Sequence, residues 1–167
     1  FGTQQVPSIN TNPGMINETD CHWTDSNGDL WLYTELDGNL WRYNIASNMW
    51  AWMSGGGLGA VAPIYGTLDV FDPANRPGGF SACPSVGSLY TMWITSDDHL
   101  WMVVNRLVND LQVEMWEFDP NLNQWRFKRT DIQTFGTPQQ YPTSCVEDSL
   151  SFPIARTEMR AEWIDDC

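Results

Sequence analysis

The sequence predicts an all-β fold built from repeated four-stranded antiparallel meanders. Three observations carry that prediction. One aromatic series occurs twice in the same order, its members sit in short strand-like runs, and turn residues separate the runs. The chain has 167 residues, enough for one domain with a buried core. Its 42% hydrophobic content is that of a globular protein rather than a disordered one.

The repeat is visible directly. Phe1-Gly2-Thr3 recurs as Tyr65-Gly66-Thr67 and as Phe135-Gly136-Thr137, at offsets of 65 − 1 = 64 and 135 − 65 = 70. A proline-containing stretch follows each copy. The first unit then reads Trp23, Leu30-Trp31-Leu32-Tyr33, Leu40-Trp41-Arg42-Tyr43-Asn44 and Asn48-Met49-Trp50. The second reads Trp93, Leu100-Trp101-Met102-Val103, Met115-Trp116-Glu117-Phe118-Asp119 and Asn123-Gln124-Trp125. A third begins and reaches Trp163. Three pairs therefore define the structural repeat: Trp31 with Trp101, Trp41 with Trp116, and Trp50 with Trp125.

Each landmark lies in a run rich in Trp, Tyr, Val and Thr, the composition of a strand. Strands are expected near 19–24, 30–35, 40–45 and 49–54, and again near 89–95, 99–105, 114–119 and 124–129. Asn27-Gly28 marks a hairpin between the first two strands of the first unit. Asp37-Gly38-Asn39 turns the chain into the third strand and Asn44 to Asn48 into the fourth. Pro120 cannot serve a central strand and belongs in the matching turn of the second unit. In the fourth strand Trp50 and Trp52 point one way and Met49, Ala51 and Met53 the other. A sheet with large apolar residues on both faces must be covered on both, and repeated meanders achieve this by stacking as blades of a β-propeller. The expected organisation is blade 1 with its leading linker over 1–64, blade 2 over 65–134, and the start of a truncated third blade over 135–167. Propellers close with about 4–8 blades, so this is an incomplete set.

Leu30-Trp31-Leu32-Tyr33, Asn39-Leu40-Trp41-Arg42-Tyr43-Asn44 and Ser47-Asn48-Met49-Trp50 resemble the long-blade kelch repeat, of the kind found in the central domain of galactose-oxidase-like proteins. The second unit resembles it through Leu100-Trp101, Met115 to Pro120 and Trp125. The resemblance implies a kelch-like propeller, and one group of such propellers consists of secreted oxidases with copper held by paired His and Tyr.

The residues favour a non-enzymatic role. Only His22 and His99 are present, a blade apart and outside any metal-protease pattern. Ser8, Ser81 and Ser85 lack a nucleophile-elbow context. No catalytic residue, cofactor or metal is therefore expected. Asp25, Asn27 and Asp29 have alternate oxygen spacing, yet Leu36 stands where a calcium loop would place its Glu, which leaves a plain hairpin turn. The formal charge of −13 repels phosphate backbones and anionic lipid. Neither nucleic acid nor membrane insertion is expected.

The four cysteines, Cys21, Cys83, Cys145 and Cys167, are even in number and lack a C-x-x-C pair. They point to disulfides and an oxidising, extracellular compartment. Three pairings exist. Loop length favours Cys145 with Cys167, leaving Cys21 with Cys83, and cross-links to another subunit are the alternative. Asn17-Glu18-Thr19 is a glycosylation sequon. The expected function is thus a secreted kelch-like module for protein–protein interaction or structural assembly. Its partners would be other protein chains or further blades of the same polypeptide. A carbohydrate-binding propeller is the second reading, with Trp52 as the unmatched aromatic that could stack on a glycan. A degenerate part of a copper-radical oxidase is the third.

Overall fold

A computed structural model describes residues 1–14, 21–59, 61–79, 89–108 and 110–133. Over these the protein is all-β, with eight strands and no helix. The first sheet contains β1 (Cys21–Thr24), β2 (Leu30–Thr34), β3 (Asn39–Asn44) and β4 (Met49–Ser54). The second contains β5 (Leu89–Ile94), β6 (Leu100–Val108), β7 (Asp110–Asp119) and β8 (Gln124–Gln133). Both are antiparallel meanders in simple sequence order.

The register explains which side chains share a face. Residues directly opposite in an antiparallel pair lie on the same side of the sheet. Trp23 faces Trp31, Tyr33 faces Leu40, and Arg42 faces Ala51. These residues, with Cys21 and Met53, form one face of the first sheet, called here face A. Its other side, face B, carries His22, Leu30, Leu32, Trp41, Tyr43, Trp50 and Trp52. In the second sheet Met92 faces Met102, Leu100 faces Phe118, Trp116 faces Phe127 and Phe118 faces Trp125. Those residues make face B of that sheet, while Trp93, Trp101, Val103, Met115, Glu117 and Arg126 make its face A.

The core lies where face A of the first sheet meets face B of the second. One buried cluster joins Cys21, Trp23, Trp31, Tyr33, Leu40, Ala51 and Met53 to Leu100, Met102, Val104, Trp116, Phe118, Trp125 and Phe127. Trp31 lies 5.7 Å from Phe118 and Tyr33 lies 5.9 Å from Trp125, ring centre to ring centre. Polar bonds pin the junction at both ends. Trp23 Nε1 donates to the Trp93 carbonyl at 3.0 Å, and Asn123 Nδ2 donates to the Met53 carbonyl at 2.9 Å. At the outer turns Ser26 donates to Asp98 through both its amide and its hydroxyl.

Each linker returns along the fourth strand of its own sheet. Gln5 N and Ser8 N donate to the carbonyls of Trp52 and Trp50; Asp69 N and Asp72 N donate to those of Phe127 and Trp125. Gln5 and Asp69 share a positive φ, at 65° and 62°. The linker aromatics sit on equivalent residues. Phe1 packs on Trp41 and Trp52 with centroids 5.1 and 5.6 Å away, and Tyr65 on Trp116 and Phe127 at 5.6 and 4.9 Å. Two units of one design are thus stacked in the same orientation.

The two units differ in two respects. Trp41 and Trp116 are both fully buried, but Trp31 and Trp125 are buried while their counterparts Trp101 and Trp50 are half-buried. The reason is position in the stack. Trp31 and Trp125 point into the junction, whereas Trp101 and Trp50 lie on the two faces turned away from it. The second difference is length: β6, β7 and β8 run three or four residues beyond the expected limits of 105, 114 and 129.

Candidate functional site

Among the described residues, the two sheet faces that no other strand covers are B on the first sheet and A on the second. Face B of the first sheet carries Leu30, Tyr43 and Trp50 side by side, because Leu30 pairs with Tyr43 and Tyr43 with Trp50. Leu30 is 41% exposed, and Tyr43 and Trp50 are half-buried. The two rings touch at 5.1 Å with an interplanar angle of 51°. The Tyr43 hydroxyl donates a hydrogen bond to Asn48 Oδ1. Ile45 and Ile9, both exposed, lie on the adjoining turn and linker.

Face A of the second sheet combines aromatics with charge. Trp93 and Trp101 stack at 5.6 Å and 14°. Around them Glu117, almost fully buried, accepts from Arg126 Nε at 2.6 Å through one oxygen and lies 2.6 Å from His99 Nδ1 through the other. Arg126 also approaches Asp69 at 3.2 Å and lies over the Phe71 ring at 4.5 Å. Lys128 donates to Asp69 at 2.6 Å and reaches over Trp101 at 5.6 Å. The Lys128 hydrogen bond, helped by the Lys128 and Arg126 charges, holds the Asp69 carboxyl below the ordinary carboxylate range. The Thr95 hydroxyl acts similarly on Asp97. Glu117 in turn raises the Arg126 guanidinium above its usual value. The network ties the second linker to its sheet and leaves Arg126 and Lys128 each with a carboxylate and a ring beside them.

The candidate residues from the sequence fall as follows. His22 is exposed on β1, its amide 3.1 Å from Met92 Sδ, and His99 is bound into the Glu117 network. They lie on opposite sides of the sheet junction. The oxygens of the Asp25–Asp29 loop are committed to local structure. Asp25 accepts from Asn27 N, Asp29 N and Trp31 Nε1, and Asp29 accepts from Asn44 Nδ2 and Ile45 N. Among the described residues no group of three or more His, Cys, Asp or Glu stands where it could hold a metal. Ser8 serves the linker, its Oγ accepting from Asn10 N at 3.2 Å. Cys21 is buried opposite Tyr33. Cys83, Cys145, Cys167, Asn17, Ser81 and Ser85 lie outside the described residues, as does the third unit.

Trp52 is not an unmatched aromatic. It pairs with Trp41 as Phe127 pairs with Trp116, and both receive the linker ring. Its Nε1 is used internally, donating to Asn39 Oδ1 and the Ser54 carbonyl. In sequence Trp52 looks unmatched because the second unit has Phe127 rather than a tryptophan at the equivalent place. Reasoning from sequence missed the Glu117–Arg126–Asp69–Lys128 network, because Asp69 comes from a linker far from the other three in the chain. The alternation Arg126, Lys128 along β8 was the one signal pointing to it.

Over the described residues the fold is all-β, two stacked, repeated meander sheets whose faces away from the junction carry aromatic side chains. Comparison with protein families, with curated proteins and with solved structures finds no match to this chain.

Proposed function

We propose that this chain is a non-enzymatic, extracellular, kelch-like interaction module that assembles with other protein chains or with further blades. The single observation that carries this reading is the equivalence of the outer faces to the inner ones. The junction between the sheets is made by face A against face B, and among the described strands one face of each kind is left uncovered, with Tyr43, Trp50, Trp93 and Trp101 half-buried on it. Patches of this sort on soluble proteins mark interaction sites. The fixed ion pairs at Asp69 and Glu117 suit a surface that must be neutralised before it is covered. The secreted location rests on the even cysteines and the sequon at Asn17.

The test is cross-linking mass spectrometry on protein taken from its natural source, with the purified chain screened in parallel on a glycan array. The expected result is inter-chain or inter-blade cross-links near Tyr43 and Trp50 or near Trp93 and Trp101, with no saturable glycan signal. Cross-links absent from both faces, with a glycan signal lost on substituting an exposed aromatic, would replace this reading with the carbohydrate-binding one.

A further inference from the structure

We infer that face B of the first sheet is a seat for a second copy of this chain, which docks head-to-tail through face A of its own second sheet. The inference rests on the assembly reading above and makes it specific. Its basis is a matched pair of ring geometries. In the sheet junction, Phe118 and Trp125 meet at 5.0 Å and 53° and are buried under Trp31 and Tyr33. On the outer face Tyr43 and Trp50, the equivalent residues one unit earlier, meet at 5.1 Å and 51°. The receiving half of the junction is therefore already formed there.

The linker does not block the seat. Phe1 lies on Trp41 and Trp52 just as Tyr65 lies on Trp116 and Phe127, and the second sheet still accepts a neighbour with Tyr65 in place. The tryptophans of the incoming half are also present, while Arg126 and Lys128, each paired with a carboxylate, stand where the junction has Ala51 and Met53. Trp93 and Trp101 hold the register positions of Trp23 and Trp31. In the junction Trp23 Nε1 donates to the Trp93 carbonyl, so Trp93 of the second copy would donate to the Trp23 carbonyl. Trp101 Nε1 is buried without a hydrogen-bond partner among the described residues, because Thr95 stands where Asp25 serves Trp31.

Two features keep the contact weak. Ser96 of the second copy would meet Gly28, whereas Ser26 meets Asp98, so the clamp at the turn is lost. Each copy also carries a formal charge of −13, and the repulsion falls as salt shortens the Debye length to about 10 Å at 0.1 M. Head-to-tail contacts of this kind build rings or open chains rather than isologous dimers.

Sedimentation equilibrium of the full chain tests this, alone and as two variants. Tyr43→Asp spoils the seat and Trp101→Ala spoils the incoming face, and near-UV circular dichroism of the junction aromatics reports that each remains folded. The wild type should associate reversibly, more tightly at higher salt. Each variant alone should associate at least about tenfold more weakly, the usual loss for an anchoring aromatic. An equimolar mixture of the two should recover a single junction and stop at a dimer. A wild type that stays monomeric at all salt concentrations would overturn the inference while leaving other partners open to the cross-linking test. So would folded variants that associate as before, or a mixture that stays monomeric. Loss confined to Tyr43→Asp, with Trp101→Ala unaffected, would show an isologous contact and overturn it too.

Discussion

Trp31 and Trp101 occupy the same place in two units, and their truncations should nonetheless differ about twofold in cost. Trp31 is 1% exposed, with its ring against Phe118 and its Nε1 donating to Asp25 at 2.8 Å. A buried Trp removes about 150–250 Å² from water, which at about 25 cal/mol/Å² is about 4–6 kcal/mol. A compact unfolded state lowers that by roughly 10–40%, giving about 3–5 kcal/mol for Trp31→Ala, the usual range for a core aromatic. Trp101, half-buried on the far face, should lose about half as much, some 1.5–2.5 kcal/mol on the same area scale. Trp31→Phe keeps most of the packing and should cost roughly 1 kcal/mol for the hydrogen bond. Urea unfolding followed by far-UV circular dichroism gives these values directly. A double-mutant cycle with Phe118→Ala should add a coupling of about 0.5–1.5 kcal/mol for the ring pair. Equal costs for Trp31→Ala and Trp101→Ala, or no coupling to Phe118, would refute the assignment of inner and outer faces.

Three further outcomes follow from the polar and backbone geometry. Asn39, fully buried, accepts from Gly57 N and Trp52 Nε1 and donates to the Gly57 carbonyl; Asn39→Ala should cost about 2–3 kcal/mol and speed hydrogen exchange at the Gly57 amide, and unchanged exchange would count against it. Gly38 has φ of 69° and its missing Cβ would stand 2.4 Å from the Gly78 carbonyl carbon, whereas at Gly28, φ 82°, the nearest atom is 4.0 Å away. Thermal melts should therefore show Gly38→Ala losing well over the roughly 1 kcal/mol expected for Gly28→Ala, and similar losses would be evidence that the two backbones are not in contact. The folded-state pKa of Asp69 is depressed, so the stability it contributes is present above its unfolded value near 3.9 and is lost as pH falls through the lower folded value. An NMR titration should find Asp69 below the usual range in the wild type and back toward it in Lys128→Met; no difference between the two would remove Lys128 as the cause.

Much of the fold was legible because strand periodicity and turn chemistry are local. Trp, Tyr and Val runs broken by Asn27-Gly28, Asp37-Gly38 and Pro120 locate the turns, and β1 to β4 start and end within two residues of expectation. Strand length in the second unit was not legible from the first, since Arg106 to Val113 contains no residue that forbids a strand and the hairpin simply continues. Which face of each sheet lies inside was not legible either. Alternation tells that Trp50 and Ala51 point apart, but Trp101 and Trp31 have the same sequence surroundings and opposite fates. Their difference depends on the stacking order of whole sheets, a long-range property that no local pattern carries. The ion network at Asp69 and Glu117 depends on the linker returning along β8, which is long-range for the same reason.

The way the repeat has drifted supports the same division between inner and outer surfaces. Linker positions keep one offset, with Phe1, Gln5, Ser8 and Gly14 matching Tyr65, Asp69, Asp72 and Gly78 at 65 − 1 = 64. The first two strands sit at 93 − 23 = 70 and the last two at 116 − 41 = 75. Six residues have therefore entered between Gly78 and Trp93, and five more in the hairpin of β6 and β7. In the first unit that hairpin is a turn closed by Gly38, whose backbone lies against Gly78 and Gly79, and Tyr33 adds a 2.6 Å bond to the Gly78 carbonyl. Lengthening there would push the turn into the linker. In the second unit the same hairpin continues as a ladder out to the Val108–Asp110 pair. The residues that make the junction, from Trp23 and Trp31 to Phe118 and Trp125, keep their register throughout. A core packed at crystal-like density does not tolerate a shift of one residue, which would turn every side chain to the opposite face. The inserted residues accordingly lie in the linker and at a hairpin end, and the registered strands between the two sheets have kept their pairing.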